Sequence, residues 1–116
     1  DAPRVNYTPA GTSLLECPVT TLEVAGARVP CGGGGYFRLL TYRLFRWALR
    51  RGNDCGQPCH FYLHPWEIDP EQPRVEGAGW RSRFRHYTNL GRTEARLQRL
   101  LGDFQWTRFD RLLGLG

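Results

Sequence analysis

The chain has 116 residues and a formal net charge of +5, from sixteen basic side chains, every one an arginine, against eleven acidic ones. This is one domain's worth of chain, long enough for a hydrophobic core, and no apolar run approaches the roughly 18 residues that would cross a bilayer. No basic block stands without acids nearby, so nucleic-acid binding is the weaker reading of the charge, and an anionic or polyhydroxylated glycan fits it.

Residues 1–12 are rich in Pro, Gly, Thr and Asn and read as an irregular entry segment. Two short apolar runs follow, Leu14 to Cys17 and Val19 to Val24, separated by Pro18, and they read as extended pieces. Gly26-Ala27-Arg28 suits a turn back toward Val29 and Pro30. The glycine run Gly32 to Gly35 opens into an amphipathic stretch, Arg38 to Arg51. Leu40, Leu44, Trp47 and Ala48 repeat there at helical spacing with Arg43, Arg46 and Arg50 on another flank, which predicts a helix packed by its leucine-tryptophan side. The glycine run satisfies neither the Walker nor the dinucleotide fingerprint and reads as a close-packed turn.

Alternation over Cys59 to His64 predicts a strand, with His60, Tyr62 and His64 on one face and Cys59, Phe61 and Leu63 on the other. Pro65 has no N–H to donate and ends it. Residues 65–91 hold Pro65, Pro70, Pro73, Gly77 and Gly79 and no sustained period, so a long ordered loop is expected. A second main helix is expected from Thr93 to Leu101, lined by Leu97, Leu100, Leu101 and Phe104, with Gly102 as its stop. Phe104 to Phe109 then reads as a short final strand and Asp110 to Leu113 as a helical turn.

Four cysteines, Cys17, Cys31, Cys55 and Cys59, include one pair with three residues between and no second tight pair, a poor match to zinc spacing. His60 and His64 on a strand would stand about 13 Å apart, too far for one metal. No metal site is therefore expected within the chain.

Several segments together resemble the C-terminal part of bacterial NodB-like polysaccharide deacetylases of the exopolysaccharide and exosortase-associated type. These are Cys17-Pro18-Val19-Thr20-Thr21, Val29-Pro30-Cys31 with the glycine run through Arg38, and His64-Pro65-Trp66-Glu67-Ile68-Asp69-Pro70 with Gln72-Pro73-Arg74. Ser82 to Leu90 and Arg92 to Leu97 complete the set. The resemblance implies an α/β fold, residues 1–116 being the C-terminal segment of an incomplete (β/α) barrel with two main helices and a long ordered loop. A complete barrel takes roughly 250 residues. The absence of methionine and the opening Asp1-Ala2-Pro3-Arg4-Val5 lead us to expect a fragment of a longer bacterial protein, cytoplasmic or periplasmic.

The activity implied is hydrolysis of N-acetyl groups on a polysaccharide. A divalent metal, zinc foremost, would be held by residues of an upstream half outside this chain, and a late histidine would protonate the departing amine. The resemblance puts His64 in that catalytic role, with Tyr36, Phe37, Arg38, Tyr62 and Trp66 as substrate-binding residues. Glu67, Asp69 and Arg74 would support the loop, the acids pairing with arginines such as Arg74, Arg83 or Arg85. One departure stands out: the wider superfamily tends to place leucine two residues before this histidine, where this chain has Tyr62. The expected partners are an N-acetylated polysaccharide and the upstream half of the same protein. The competing reading is a noncatalytic glycan- or partner-binding module; a weaker third is single-stranded nucleic-acid binding by Arg81 to Tyr87.

Overall fold

A computed structural model describes residues 5–7 and 14–114, with side chains from Cys17 onward. Strands β1 (Val5–Tyr7) and β2 (Leu14–Glu16) form one antiparallel pair, and β3 (Thr21–Val24) and β4 (Ala27–Pro30) form another. Helices α1 (Gly34–Leu39), α2 (Tyr42–Asp54), α3 (Trp80–Tyr87), α4 (Leu90–Asp103) and α5 (Phe109–Leu112) make up most of the rest, with a 3-10 turn at Pro65–Ile68. The strand β1 lies inside the segment read as irregular; the remainder of residues 1–12 is outside the described residues. Helix and strand are mixed, and the described strands close no barrel.

The β3–β4 hairpin turns on Ala25 and Gly26, with φ of 50° and 81°, the positive-φ pair that matches the twist of a tight hairpin. Its one buried side chain, Leu22, packs with Cys31 and Ala48 and so seats the hairpin on α2.

The expected first helix is two. Leu40 adopts extended backbone, and Thr41 caps α2 by accepting the N–H of Leu44 on its Oγ1. The break shifts the buried face. Tyr42, Phe45, Ala48 and Leu49 point inward, whereas Leu44 and Trp47, expected in the core, are nearly half exposed. The main core is Phe37, Tyr42, Phe45, Leu49 and Leu100, with Phe61, Leu97 and Phe104 packed against it. Phe37 sits at its centre, edge-on to Phe45 at 4.9 Å and to Phe61 at 5.1 Å.

Helix α4 is longer than expected. It starts at Leu90, after Asn89 in the left-handed region (φ 56°), and runs through Gly102 to Asp103. Leu100 is fully buried, but Leu101 faces solvent. Arg96 turns its Nη1 onto the carbonyls of Phe37, Arg38 and Leu40 at 3.1–3.3 Å. It thereby satisfies the end of α1.

Two further expectations are corrected. The long loop contains α3 and the 3-10 turn, and Phe104 to Phe109 forms no strand, because Trp106 donates its indole N–H to Leu100 O and folds back onto α4. The Cys59–His64 stretch is extended, with Phe61 turned to the core and Tyr62 and His64 outward as the alternation predicts. Its ladder is a single parallel bridge, Gly33 to Tyr62, with Tyr62 N–H donating to Gly32 O at 3.0 Å.

Candidate active site

The glycine run decides how closely this extended stretch approaches α1. A Cβ on Gly32 would stand 2.6 Å from the backbone oxygen of His60, and one on Gly33 would stand 2.8 Å from the Tyr62 hydroxyl. A Cβ on Gly34 would lie 2.6 Å from both Cδ and Oε1 of Glu67, inside any real contact distance. Gly35 meets nothing. Three of the four glycines are therefore room for the segment that carries His64 and Glu67. Thr20 fastens the start of that segment, its Oγ1 accepting the N–H of His60 at 2.8 Å and donating to the carbonyl of His60 at 3.1 Å.

At the centre is a buried ion pair. Arg38 is 3% exposed and Glu67 2%, and Arg38 Nε donates to Glu67 Oε1 at 2.9 Å. Nη1 of Arg38 reaches the carbonyls of Arg85, His86 and Thr88 at 2.9–3.1 Å, where α3 ends. Asn89 Nδ2 donates to Arg38 O at 2.6 Å. A buried charge needs a partner and hydrogen bonds; Arg38 has the partner in Glu67, and its Nε and Nη1 are bonded.

The other carboxylate oxygen serves His64. Glu67 Oε2 accepts the backbone N–H of His64 at 2.8 Å and lies 3.3 Å from its Nδ1. With Oε1 held by Arg38, the carboxylate can only accept, so Nδ1 of His64 carries the proton and Nε2 is left free. The His64 side chain is 61% exposed. An immobile carboxylate thus orients an accessible imidazole.

Trp66 ties this pair to α3. Its ring is parallel to His64 (centroids 6.1 Å, 17°), stacks on His86 (4.0 Å, 8°), and has Arg38 Cζ 5.0 Å from its centroid. Gln72 fixes the second histidine. Its amide nitrogen donates to Trp66 O and Asp69 O, so its Oε1 must accept from His86 Nε2, 2.8 Å away. A cavity of about 470 Å³ opens between α1 and α3, lined by Tyr36, Arg38, Trp66, Ser82, Arg85 and His86 among others.

The residues singled out in sequence separate accordingly. His64, Tyr62, Trp66, Glu67 and Arg38 come together, with Tyr62 edge-on to His64 at 6.2 Å. Tyr36 stands on the cavity rim, 38% exposed. Phe37 does not line the cleft, because it points the other way into the core. Arg38 is less a wall than the partner of Glu67, the place given in sequence to Arg74, Arg83 or Arg85. Arg74 instead lies over the Tyr87 ring at 4.8 Å, and Asp69 caps the next turn by accepting the N–H of Glu71. Gln72, His86 and Asn89 were not foreseen. Their spacing carries no motif, though His86 is one of only three histidines.

Among the described residues no three His, Cys, Asp or Glu side chains converge. The four cysteines are free thiols, and burial pushes Cys59 up to about 11 and raises Cys31, which keeps both protonated and poorly nucleophilic. Desolvation lowers the pKa of His60, near the start of the extended stretch.

A family described as Domain of unknown function (DUF3473) matches residues 1–114, nearly the whole chain. The chain belongs to the DUF3473 family. No curated protein and no solved structure matches it. The site above is thus described for a DUF3473 domain from its own geometry.

Proposed function

We propose that this DUF3473 domain is the C-terminal part of a metal-dependent polysaccharide deacetylase, to which it contributes the general acid, His64, and one wall of the sugar cleft. The reading rests on the resemblance of the His64-to-Pro70 run and its flanking segments to NodB-like enzymes. The observation that carries it is the orientation of His64: Nδ1 faces a carboxylate that Arg38 pins in place, and the ring is open to solvent. Hydrolysis of an acetamide adds water to the carbonyl carbon, breaks the C–N bond, and leaves acetate and an amine. The nitrogen departs readily only as it takes up a proton, and His64 in its imidazolium form would supply one from Nε2 while keeping the Nδ1 proton that faces Glu67. Tyr62, edge-on to His64, would stand beside the acetamide where the superfamily more often has leucine. The parallel bridge between Gly33 and Tyr62 is the kind of pairing a (β/α) barrel would extend, with the metal-holding residues in the upstream part of the intact protein.

The test is acetate release from an N-acetylated glycan by the intact protein. His64→Ala should lower turnover by about 10²- to 10⁴-fold and leave glycan binding nearly unchanged. Full turnover in that variant would overturn the assignment and favour a noncatalytic glycan-binding module.

A further inference from the structure

We infer that the cavity between α1 and α3 is a subsite for an acidic sugar, a uronic-acid unit of the same glycan chain as the amino sugar presented to His64. The inference rests on the deacetylase reading for the identity of the glycan, and on the cavity itself for the charge. Its volume of about 470 Å³ falls within the roughly 300–1,000 Å³ of small-ligand clefts.

None of the residues lining the cavity is acidic, and two of them are arginines. Arg38 forms part of the lining. Its Nε and Nη1 are taken by Glu67 and the α3 carbonyls, while Nη2 has no hydrogen bond among the described residues. A guanidinium group more than nine-tenths buried thus keeps one donor for a ligand. The side chain of Arg85 is exposed and has no ion-pair partner among the described residues. Helix α3 carries Arg81, Arg83 and Arg85 and no acid at all. Glu67, the carboxylate bonded to Arg38, is already committed on both oxygens to Arg38 and His64. Charge that the protein leaves unbalanced in a concave site is matched by an anionic ligand, and a carboxylate suits the planar arginine fork.

The aromatic surfaces favour a sugar over a nucleobase. Bases bind single-strand sites by stacking on open aromatic faces, but the Trp66 ring is already stacked on His86 at 4.0 Å and parallel to His64. What remains is the Tyr36 rim, the Ser82 hydroxyl and the two guanidinium groups, which suit a carboxylate and ring hydroxyls. Trp66 also places the subsite beside the acid, since the same ring lines the cavity and lies 6.1 Å from the His64 ring. One saccharide chain can therefore span both.

The experiment is calorimetric binding to the intact His64→Ala protein, which does not consume its ligand. The probes are a hexasaccharide alternating glucuronic acid with N-acetylglucosamine and an N-acetylglucosamine hexamer. The acidic probe should bind tighter by on the order of tenfold. Arg85→Gln should abolish that preference, and Arg83→Gln, exposed on α3 but away from the cavity, should preserve it. Equal affinity for both probes overturns the inference, as does a preference that survives Arg85→Gln or falls equally with Arg83→Gln. An oligodeoxynucleotide that binds through Arg85 more tightly than the acidic hexasaccharide also overturns it. Acetate release from both probes by the unsubstituted protein separates the two claims. No release, with an Arg85-dependent acidic preference, sinks the deacetylase reading and sustains the acidic-sugar subsite. Release from both probes with equal binding does the reverse.

Discussion

Adding one methyl group at Gly34 and one at Gly35 should have opposite effects on stability. Both residues open α1, and neither has positive φ, so alanine is sterically permitted by the backbone at each. In a helix, Gly→Ala gains about 0.5–1 kcal/mol from chain entropy and helix propensity. At Gly35, exposed and with nothing within 4 Å of a new Cβ, that gain should appear undiminished. At Gly34 the new Cβ overlaps the carboxyl group of Glu67, which is held between Arg38 Nε at 2.9 Å and His64 N–H at 2.8 Å. The carboxylate cannot move without loosening both bonds. Hydrogen bonds to charged groups contribute about 1.5–3 kcal/mol each, so losing both costs about 3–6 kcal/mol, against a propensity gain of about 1 kcal/mol. Gly34→Ala should therefore destabilise by about 2–5 kcal/mol, the balance of those two terms. Urea unfolding followed by far-ultraviolet circular dichroism, with the slope held common to all three proteins, gives the difference. The reasoning is refuted if Gly34→Ala matches or exceeds the stability of Gly35→Ala.

Two other predictions concern groups away from the cavity. Burial, and then a hydrogen bond to Asp103, raise the Tyr42 hydroxyl to about 12 from 10.0. The unfolded chain loses that proton first, so this contribution is fully present below pH 10 and is lost as pH rises toward 12. Allowing for solvent screening at the hydroxyl, the loss should be about 1–2 kcal/mol. Tyr42→Phe should flatten the alkaline limb of the stability curve, and an unchanged limb would rule Tyr42 out as its source. Arg96→Met keeps the aliphatic stem but removes the donors to Phe37 O, Arg38 O and Leu40 O. It should cost about 1–3 kcal/mol; a change below about 0.5 kcal/mol, the usual effect of a surface substitution, would mean water replaces Arg96 freely.

What the sequence made legible and what it hid follow from where each element gets its stability. The β3–β4 turn was readable because Gly26 permits a backbone that few residues tolerate, and the alternation over Cys59 to His64 because burial of Phe61 is local to that stretch. The buried face of α2 is not the one the apolar spacing predicts, because the stripe Leu40-Leu44-Trp47-Ala48 begins before the helix and competes with Tyr42-Phe45-Ala48-Leu49 on it. The Thr41 cap, which settles the register, was a signal available and unused. Helix α3 buries no residue, so no apolar period could announce it. It is held at its end by Arg38 and along its side by the Trp66–His86 stack, and both contacts come from far along the chain. The partner of Glu67 was hidden for the same reason. Arg38 lies 29 positions away, while nearer arginines offered themselves; only the glycine run, in hindsight, marks where the two segments must touch.

The location of the ion pair also bears on what it is for. A buried pair is weak evidence for stability, since desolvating two charges offsets most of their attraction, and an apolar pair of similar volume often does as well. Here, however, bonds to Arg38 and Glu67 tie together α1, the 3-10 turn, α3 and the start of α4. Nη1 takes three carbonyls at the end of α3, Asn89 reaches back to the Arg38 carbonyl before α4 begins, and Glu67 holds the N–H of His64 from within the 3-10 turn. Apolar side chains could fill that volume but could make neither the Nη1 bonds to α3 nor the Glu67 bond to His64; only the Asn89 bond, which goes to the Arg38 backbone carbonyl, would remain. The arrangement fixes α1, the turn, α3 and the start of α4 around one point, and the two groups left open there are the His64 ring and the Nη2 donor of Arg38. A core needs no such device. A site that must hold an imidazole beside a binding cleft does, because the geometry of both is then set by the same buried charges rather than by the exposed loop on which His64 stands.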